Sequence, residues 1–187
     1  MNTTIRENTA GRDIAGRDIH NHYASLKPTA MARLVEQYLA ETLADQTLTA
    51  WTEKLEHFLT NETSPDVRGL EEKLTVAGRE DMLKIALLRK QAAYKTIMKQ
   101  QGSRSAQTIY SFVMAEIVVN FEMSVWPLIQ AKSSREVVDT AMLEKVISPA
   151  LQILESNPLM LNKMDIQGLV YFLAGNCHIR WDADADI

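Results

Sequence analysis

The sequence predicts an all-α protein, and three observations lead to this prediction. After Lys27, apolar residues recur at spacings of three and four, which places them on one face of successive helices. Glycine, proline and serine interrupt this pattern at intervals that are typical of helix ends. No segment after residue 25 has the pattern of a convincing strand. We therefore expect six or seven helices in a bundle-like domain over residues 26–187, preceded by a separate segment over residues 1–25.

The first three predicted helices lie between residues 28 and 78. Pro28 is favourable at the first position of a helix, where its missing N–H costs nothing, and residues 31–43 continue with helical spacing. A second helix places the apolar residues of 48–59, Trp51 among them, on one stripe. Asp66 ends a predicted loop and can cap a short third helix, which stops at Gly78.

A long helix comes next in the predicted order. It starts at Glu80 or Asp81 and ends before Gly102. Ser103 or Ser105 then caps the helix that follows, because a serine side chain can accept a hydrogen bond from the first free backbone amides.

Residues 109–129 are the most apolar stretch of the chain, and we expect them at the centre of the domain. Their middle carries Glu116, Asn120 and Glu122. A charge at that depth of a membrane costs about 2.5–3.5 kcal/mol on insertion scales. We therefore predict a core helix that is buried nearly all round, not a membrane span, and expect Pro127 to bend or end it.

Two more helices complete the prediction. Ser133 and Glu136 have the spacing of a capping box, which starts a helix toward residue 155 that Pro149 bends or splits. The last helix covers about residues 165–174 and ends at Gly175.

Composition narrows the class of protein. The 187 residues are 46% hydrophobic and 24% charged, which suits one soluble domain with a core of its own. A net charge of −4 does not favour a general grip on nucleic acid, which needs a basic face. The single cysteine, Cys177, excludes an internal disulfide and a cysteine-rich metal site. We expect a cytoplasmic protein without a cofactor, since the first 25 residues also lack the apolar region of a secretory signal.

A direct repeat, "AGRDIAGRDI", occupies residues 10–19. Its two glycines and two aspartates disfavour a helix and favour short extended pieces joined by turns. Such pieces bury too little to be stable alone, so they dock on the helical domain or stack on copies of themselves; a flexible tail is the alternative. We predict that the repeat makes the chain a homo-oligomer through six residues: Arg12, Asp13, Ile14, Arg17, Asp18 and Ile19.

The C-terminal stretch is the second candidate for binding. It contains a glycine inside a helix, which often permits the close approach of another element, followed by large aromatic residues and an arginine. Aromatic residues and arginine are enriched in interface hot spots, although ordinary packing also explains them. The predicted partner interface consists of Gly168, Tyr171, Phe172, Ile179, Arg180 and Trp181.

Two pairs of residues could instead serve a small helical enzyme. His20 and His22 alternate, and with Asp18 they could hold a metal, although two histidines alone are a weak signal. Cys177 and His178 are a nucleophile and a base by type, but adjacent residues rarely face each other, and a buried cysteine is common.

A third alternative is a nucleic-acid contact. The segment of residues 87–99 carries Arg89, Lys90, Lys95 and Lys99 on one predicted helix. Most such runs are solvated faces, so direct binding of nucleic acid is not the favoured interpretation.

Two segments together resemble a known family. "GLVYFLAGNCHIRWD" is similar to the end of the C-terminal domains carried by effectors of bacterial ABC-three-component (Lamassu-like) conflict systems. "NTAGRDIAGRDIHNHY" is similar to the Gly-Asp-rich segment that joins effector and C-terminal domain in those proteins. The middle helices carry no matching motif.

The resemblance implies a helical association module of an anti-phage system. Such a module would bind a small middle component and an SMC/Rad50-like ATPase, and would hold a toxic effector inactive until invading DNA is sensed. The effector's enzymatic domain, often a nuclease, has no counterpart ahead of the repeat. We therefore do not transfer the effector's catalysis and expect a non-enzymatic adaptor.

Overall fold

The computed structural model describes residues 28–44, 50–60, 69–154 and 156–183, and over these ranges it contains helices and no strand. The all-α prediction is thus confirmed for the described part of the chain. The predicted extended repeat lies outside these residues, and so do the six residues assigned to oligomerisation. The boundary between residues 25 and 26 stays a prediction.

The described helices match the predicted order closely. They are α1 (Ala30–Ala44), α2 (Glu53–Leu59), α3 (Leu70–Val76), α4 (Leu83–Lys99), α5 (Arg104–Ser124), α6 (Trp126–Gln130), α7 (Arg135–Ala141), α8 (Ser148–Gln152) and α9 (Lys163–Gly175). A 3₁₀ turn, Glu80–Met82, precedes α4, and a π-helical segment, Met142–Ile147, joins α7 to α8.

The two interior prolines act as predicted. The α5 helix ends at Ser124, and Pro127 lies in the first turn of α6. Pro149 lies in the first turn of α8, directly after the π-helical segment. Because Pro149 has no N–H to donate to the preceding turn, the wider hydrogen-bond register before it has a local cause.

Of the predicted serine caps, the one that begins α5 is confirmed and the one that begins α7 is wrong. Ser103 caps α5, since its Oγ accepts from the amide of Ala106 at 3.1 Å. The predicted cap at Ser133 is wrong, because Ser134 caps α7 by accepting from the amide of Val137 at 3.4 Å. The amide of Ser133 instead donates to the carbonyl of Leu128 at 3.0 Å and closes α6.

A carboxylate of α1 also binds the start of α5. Glu41 accepts from the hydroxyls of Ser103 and Ser105 at 2.8 Å and 2.7 Å, and from the Ser105 amide at 3.1 Å. Partial burial opposes ionisation, but the hydrogen bonds from Ser105 and Ser103 outweigh it and lower the pKa of Glu41. The negative charge at a helix N-terminus fixes α1 against α5.

The α5 helix is central, as predicted, and packs against α1, α2, α8, α9 and the π-helical segment. The expectation of burial nearly all round is wrong, because Phe112, Val119 and Met123 are 42%, 54% and 75% exposed.

By length and composition alone, Arg104–Gln130 is the one helical stretch in the described ranges that could span a membrane. The core helix of a soluble protein meets the same test.

The α9 helix packs along α4, and the two helices approach each other closely at Gly168. A Cβ atom at this position would lie 2.8 Å from the Arg89 carbonyl oxygen and 3.2 Å from the Ala93 Cβ. The close approach expected of a glycine inside this helix is therefore confirmed. The chain after Gly175 contacts both Lys73 of α3 and Phe121 of α5.

Candidate functional site

The residues that follow α9 are fixed to two earlier helices. Lys73 of α3 is only 2% exposed, and its Nζ donates to the carbonyls of Ala174 at 2.7 Å and Ile179 at 3.2 Å. Asn176 donates from Nδ2 to the carbonyl of Phe58, at the end of α2, at 3.0 Å. The C-terminal stretch is therefore an ordered part of the domain as far as residue 183.

Burial shapes the titration of Lys73. Burial penalises its ammonium group and lowers the pKa, while the neighbouring Cys177 and Asp182 side chains oppose this change. Asp182 is itself only 1% exposed. A buried cation that donates to the carbonyls of Ala174 and Ile179 ties the end of α9 to the chain that follows it.

Trp181 lies at the centre of an aromatic and cationic cluster. Its ring meets Phe121 edge-on at 5.6 Å and stacks on Tyr171 at 6.4 Å, between ring centroids. The guanidinium carbon of Arg79 lies 4.9 Å from the Trp181 ring centroid, and Arg79 Nη1 contacts Asp139 Oδ1 at 2.6 Å. The buried indole N–H of Trp181 has no hydrogen-bond partner in the described part of the chain.

A surface cavity of about 300 Å³ opens beside this cluster, and we call it the Trp181 cavity. The 3₁₀ turn, the α7–α8 region and the first turns of α9 form its walls, and three methionines line it. Its lining residues are Arg79, Met82, Asp139, Met142, Leu143, Ile147, Lys163, Met164, Gln167, Val170, Tyr171 and Trp181. Methionine walls adapt to differently shaped ligands, which is typical of protein-binding surfaces.

A second cavity of about 300 Å³ lies on the other side of the C-terminal stretch. It is lined by Phe121, Glu122, Trp126, Cys177, His178, Ile179 and Arg180. Two of these lining residues contact each other, since the guanidinium carbon of Arg180 lies 5.2 Å from the Trp126 ring centroid.

The predicted interface residues divide into two groups. Tyr171 and Trp181 line the Trp181 cavity, and Ile179 and Arg180 line the second cavity. Gly168 and Phe172 are internal: Gly168 faces α4, and the Phe172 ring stacks on Tyr94 at 6.4 Å. Of the six predicted interface residues, only Arg180 is not buried, and the interface itself stays a prediction.

The residues that form the rim of the Trp181 cavity were not predicted from the sequence. Leu143 and Met164 are 44% and 61% exposed at the mouth of the Trp181 cavity. In the sequence they look like ordinary members of amphipathic helices. Only the packing of α9 against the α7–α8 region brings them together.

Cys177 and His178 lie in different surroundings. Cys177 contacts the Lys73 ammonium, and its backbone has a φ of 67°, in the left-handed turn that follows α9. The His178 ring packs against His57 at 5.0 Å, and its Nε2 lies 3.2 Å from the Thr60 carbonyl oxygen. The enzyme that would use this pair stays an untested alternative.

The other two alternatives are also untested. His20, His22 and Asp18 lie outside the described residues, within which no group of three His, Cys, Asp or Glu side chains could hold a metal ion. The basic run on α4 is divided, since Lys95 and Lys99 are exposed while the Lys90 side chain packs on Gly175.

The fold defines a helical domain with two cavities beside its C-terminal stretch, and comparison with known proteins identifies its family. Residues 69–181 match the model of C-terminal domain 9 (CTD9) of the ABC-three component (ABC-3C) systems. The match covers more than half of the chain, so the chain belongs to this family and is a component of such a system. No curated protein and no solved structure matches the chain.

The match confirms the resemblance seen in the C-terminal residues at the level of ABC-three-component systems. It includes every residue that lines the two cavities and leaves out α1 and α2. A component of a multicomponent system has protein partners.

Proposed function

We propose that this chain is a non-enzymatic assembly module of a cytoplasmic anti-phage ABC-three-component system of the Lamassu-like type. It binds the SMC/Rad50-like ATPase and the small middle component, and thereby controls a toxic effector. The repeat over residues 1–25 makes the module self-associate.

The Trp181 cavity is the observation that carries this proposal. Its lining lies wholly within the family match, from Arg79 to Trp181. It combines adaptable methionines with an aromatic and arginine centre, which is the composition of interface hot spots. The segment that matches the family thus contains a concave surface of the kind that a binding partner needs.

The rim of the Trp181 cavity permits a direct test in the complex. Leu143→Asp places a charge at the cavity mouth, on a side chain that is 44% exposed, so the fold should tolerate it. Lys145→Asp is the matched control, because Lys145 is exposed on the same π-helical segment but does not line the cavity. The variants are co-expressed with the ATPase and the middle component, and the complexes are purified and weighed by light scattering.

We expect Leu143→Asp to weaken ATPase binding at least about tenfold, as loss of a hot-spot contact does, while Lys145→Asp binds like the unmodified chain. Equal binding by both variants would remove the Trp181 cavity from the interface. Absence of any complex with the unmodified chain would contradict the assembly function itself.

The repeat and the enzymatic alternative have separate tests. The double variant Ile14→Asp, Ile19→Asp should form an assembly of lower mass than the unmodified chain does, and an unchanged mass would exclude the repeat as an oligomerisation element.

Cys177→Ala and His178→Ala should leave complex formation and phage protection intact. Loss of protection with an intact complex would favour an enzyme.

A further inference from the structure

Lys73 and Cys177 form a pair of side chains to which the proposed assembly function gives no role. The Lys73 Nζ atom donates to the carbonyls of Ala174 at 2.7 Å and Ile179 at 3.2 Å, so it lies inside the turn that carries Cys177. The same ammonium group is in hydrogen-bond contact with the Cys177 side chain. The fold therefore holds an amine of α3 against the thiol of the turn after α9.

The second cavity gives small molecules access to this thiol. Cys177 lines the cavity of about 300 Å³, although only 9% of the residue is exposed. The cavity lining carries one acid, Glu122, and one base, Arg180, and the Lys73 ammonium adds a further cation beside the sulfur. Cationic neighbours favour the thiolate, which is the form that hydrogen peroxide oxidises.

An oxidised Cys177 has no second thiol in this chain with which to form a disulfide, because the sequence contains one cysteine. A sulfenic acid can instead condense with a nitrogen atom within reach. The backbone amide of the next residue, His178, donates to the Leu173 carbonyl at 2.9 Å and is held in the turn. The Lys73 amine is thus the nitrogen that the fold presents to the sulfur.

Burial also favours the reactive form of this lysine. It lowers the pKa of Lys73, which raises the share of uncharged amine. The neighbouring Cys177 and Asp182 side chains oppose this change, while the Arg180 charge supports it. The uncharged amine is the nucleophile, because only this form has a lone pair that can attack sulfur.

We propose that hydrogen peroxide oxidises Cys177 and that Lys73 then forms a sulfenamide bond with it, between Nζ and Sγ. In the first step the sulfur attacks one peroxide oxygen, the S–O bond forms, the O–O bond breaks, and the second oxygen leaves as water with the thiol proton. The sulfur is oxidised by two electrons to a sulfenic acid, and the peroxide is reduced.

The second step needs no further oxidant. The Lys73 ammonium gives one proton to the solvent, and its nitrogen attacks the sulfur of the sulfenic acid. The S–N bond forms, the S–O bond breaks, and the hydroxide leaves as water with a second proton from the nitrogen. A thiol can reverse the bond by attacking the sulfur and releasing the lysine.

Peptide mapping of the full chain detects this bond directly. Trypsin cuts after lysine and arginine but not after a modified Lys73, so the bond joins the peptide of residues 69–79 to that of residues 164–180. The chain is treated with hydrogen peroxide, its remaining thiol is alkylated, and the digest is analysed by mass spectrometry without a reductant. Peptide masses are used because methionines take up oxygen in the same treatment, which obscures the mass of the whole chain.

Three variants show whether the bond is specific. Lys73→Arg keeps a cation at this position but offers no uncharged amine, since a guanidinium group does not lose its proton in proteins. Cys177→Ser removes the sulfur. Lys90→Arg is the matched control, because the Lys90 side chain packs on Gly175 near the same turn but leaves Lys73 in place.

We expect the linked peptide at equal yield in the unmodified chain and in Lys90→Arg, and its complete loss in Lys73→Arg and Cys177→Ser. Dithiothreitol should return the two separate peptides. The proposal would be overturned by a Cys177 that peroxide leaves unchanged, by a sulfinic acid without a linked peptide, or by a bond to the His178 amide.

The map of the unmodified chain decides among these outcomes even where a variant does not fold. Neither Lys73 nor Cys177 lines the Trp181 cavity. Binding of the ATPase by the Leu143 variant is therefore judged separately from this reaction.

Discussion

The helices α5 and α9 are both rich in apolar residues, but they differ in how much of their surface the domain buries. Eight residues of α9, from Ile166 to Ala174, are buried. The α5 helix buries ten residues but leaves Phe112, Ala115, Val119 and Met123 exposed. The difference comes from their neighbours, because α4 packs on α9 at Gly168 and Lys73 of α3 binds the Ala174 carbonyl at its end. Hydropathy alone therefore does not tell a helix that the domain buries from one that keeps an exposed apolar face.

Crowding the α4–α9 contact should have the largest effect on stability. In Gly168→Val the new side chain meets the Arg89 carbonyl oxygen, 2.8 Å from the ideal Cβ position, and forces backbone apart. We expect the free energy of unfolding to fall by about 3 kcal/mol or more, at the upper end of overpacking costs. Urea unfolding measures this change.

Gly69→Val is the control, because no atom lies within 4 Å of a Cβ at that position. It should cost less than about 1 kcal/mol, since it changes only the residue before α3. A similar loss in both variants would mean that the close approach of α4 and α9 does not limit stability.

Removing the buried cation should have the next largest effect. Lys73→Met keeps the volume but leaves two carbonyls and Asp182 without the ammonium group. We expect a loss of about 3 kcal/mol at neutral pH, as for one partner removed from a buried polar network.

The lowered pKa of Lys73 also predicts how the free energy of unfolding changes with pH. Burial lowers the pKa of Lys73 from its ordinary 10.5, so the unfolded chain binds this proton more tightly than the folded chain does. Stability contributed by this group therefore rises with pH between the folded pKa and the unfolded pKa. The difference in stability between the unmodified chain and Lys73→Met should therefore widen as the pH rises toward the ordinary lysine pKa of 10.5, and a difference that narrows would contradict the assignment.

One substitution made in both helices tests the comparison itself. Val170 of α9 is 1% exposed and Val119 of α5 is 54% exposed. Val170→Ser leaves a small cavity and a buried hydroxyl and should cost about 2–3 kcal/mol. Val119→Ser, measured on dilute protein, should cost less than about 0.5 kcal/mol. Equal losses in urea unfolding would show that the exposed face of α5 is part of the core.

Features that depend on short segments were predictable from the sequence. The cap at Ser103, the end of α5 before Pro127 and the close approach at Gly168 follow from local chemistry. The family followed from the C-terminal residues "GLVYFLAGNCHIRWD".

Features that depend on contacts between distant segments were not predictable. Lys73 has an ordinary place in a charged helix, and only the turn more than a hundred residues later buries it. The cap at Ser134 depends on how α6 ends, which a local serine pattern does not show. The Trp181 cavity joins Met82, Leu143 and Met164, which are separated widely in the chain.

The most direct test of the proposed assembly function is hydrogen–deuterium exchange of the full chain, alone and mixed with the proposed partner, an SMC/Rad50-like ATPase. Deleting residues 165–187 is unsuitable, because it removes most of α9 from the core. We expect the bound ATPase to slow amide exchange in residues 139–147 and 163–171, which line the Trp181 cavity. Exchange that changes only in residues 28–60, or nowhere in 69–181, would contradict a partner site in the C-terminal domain.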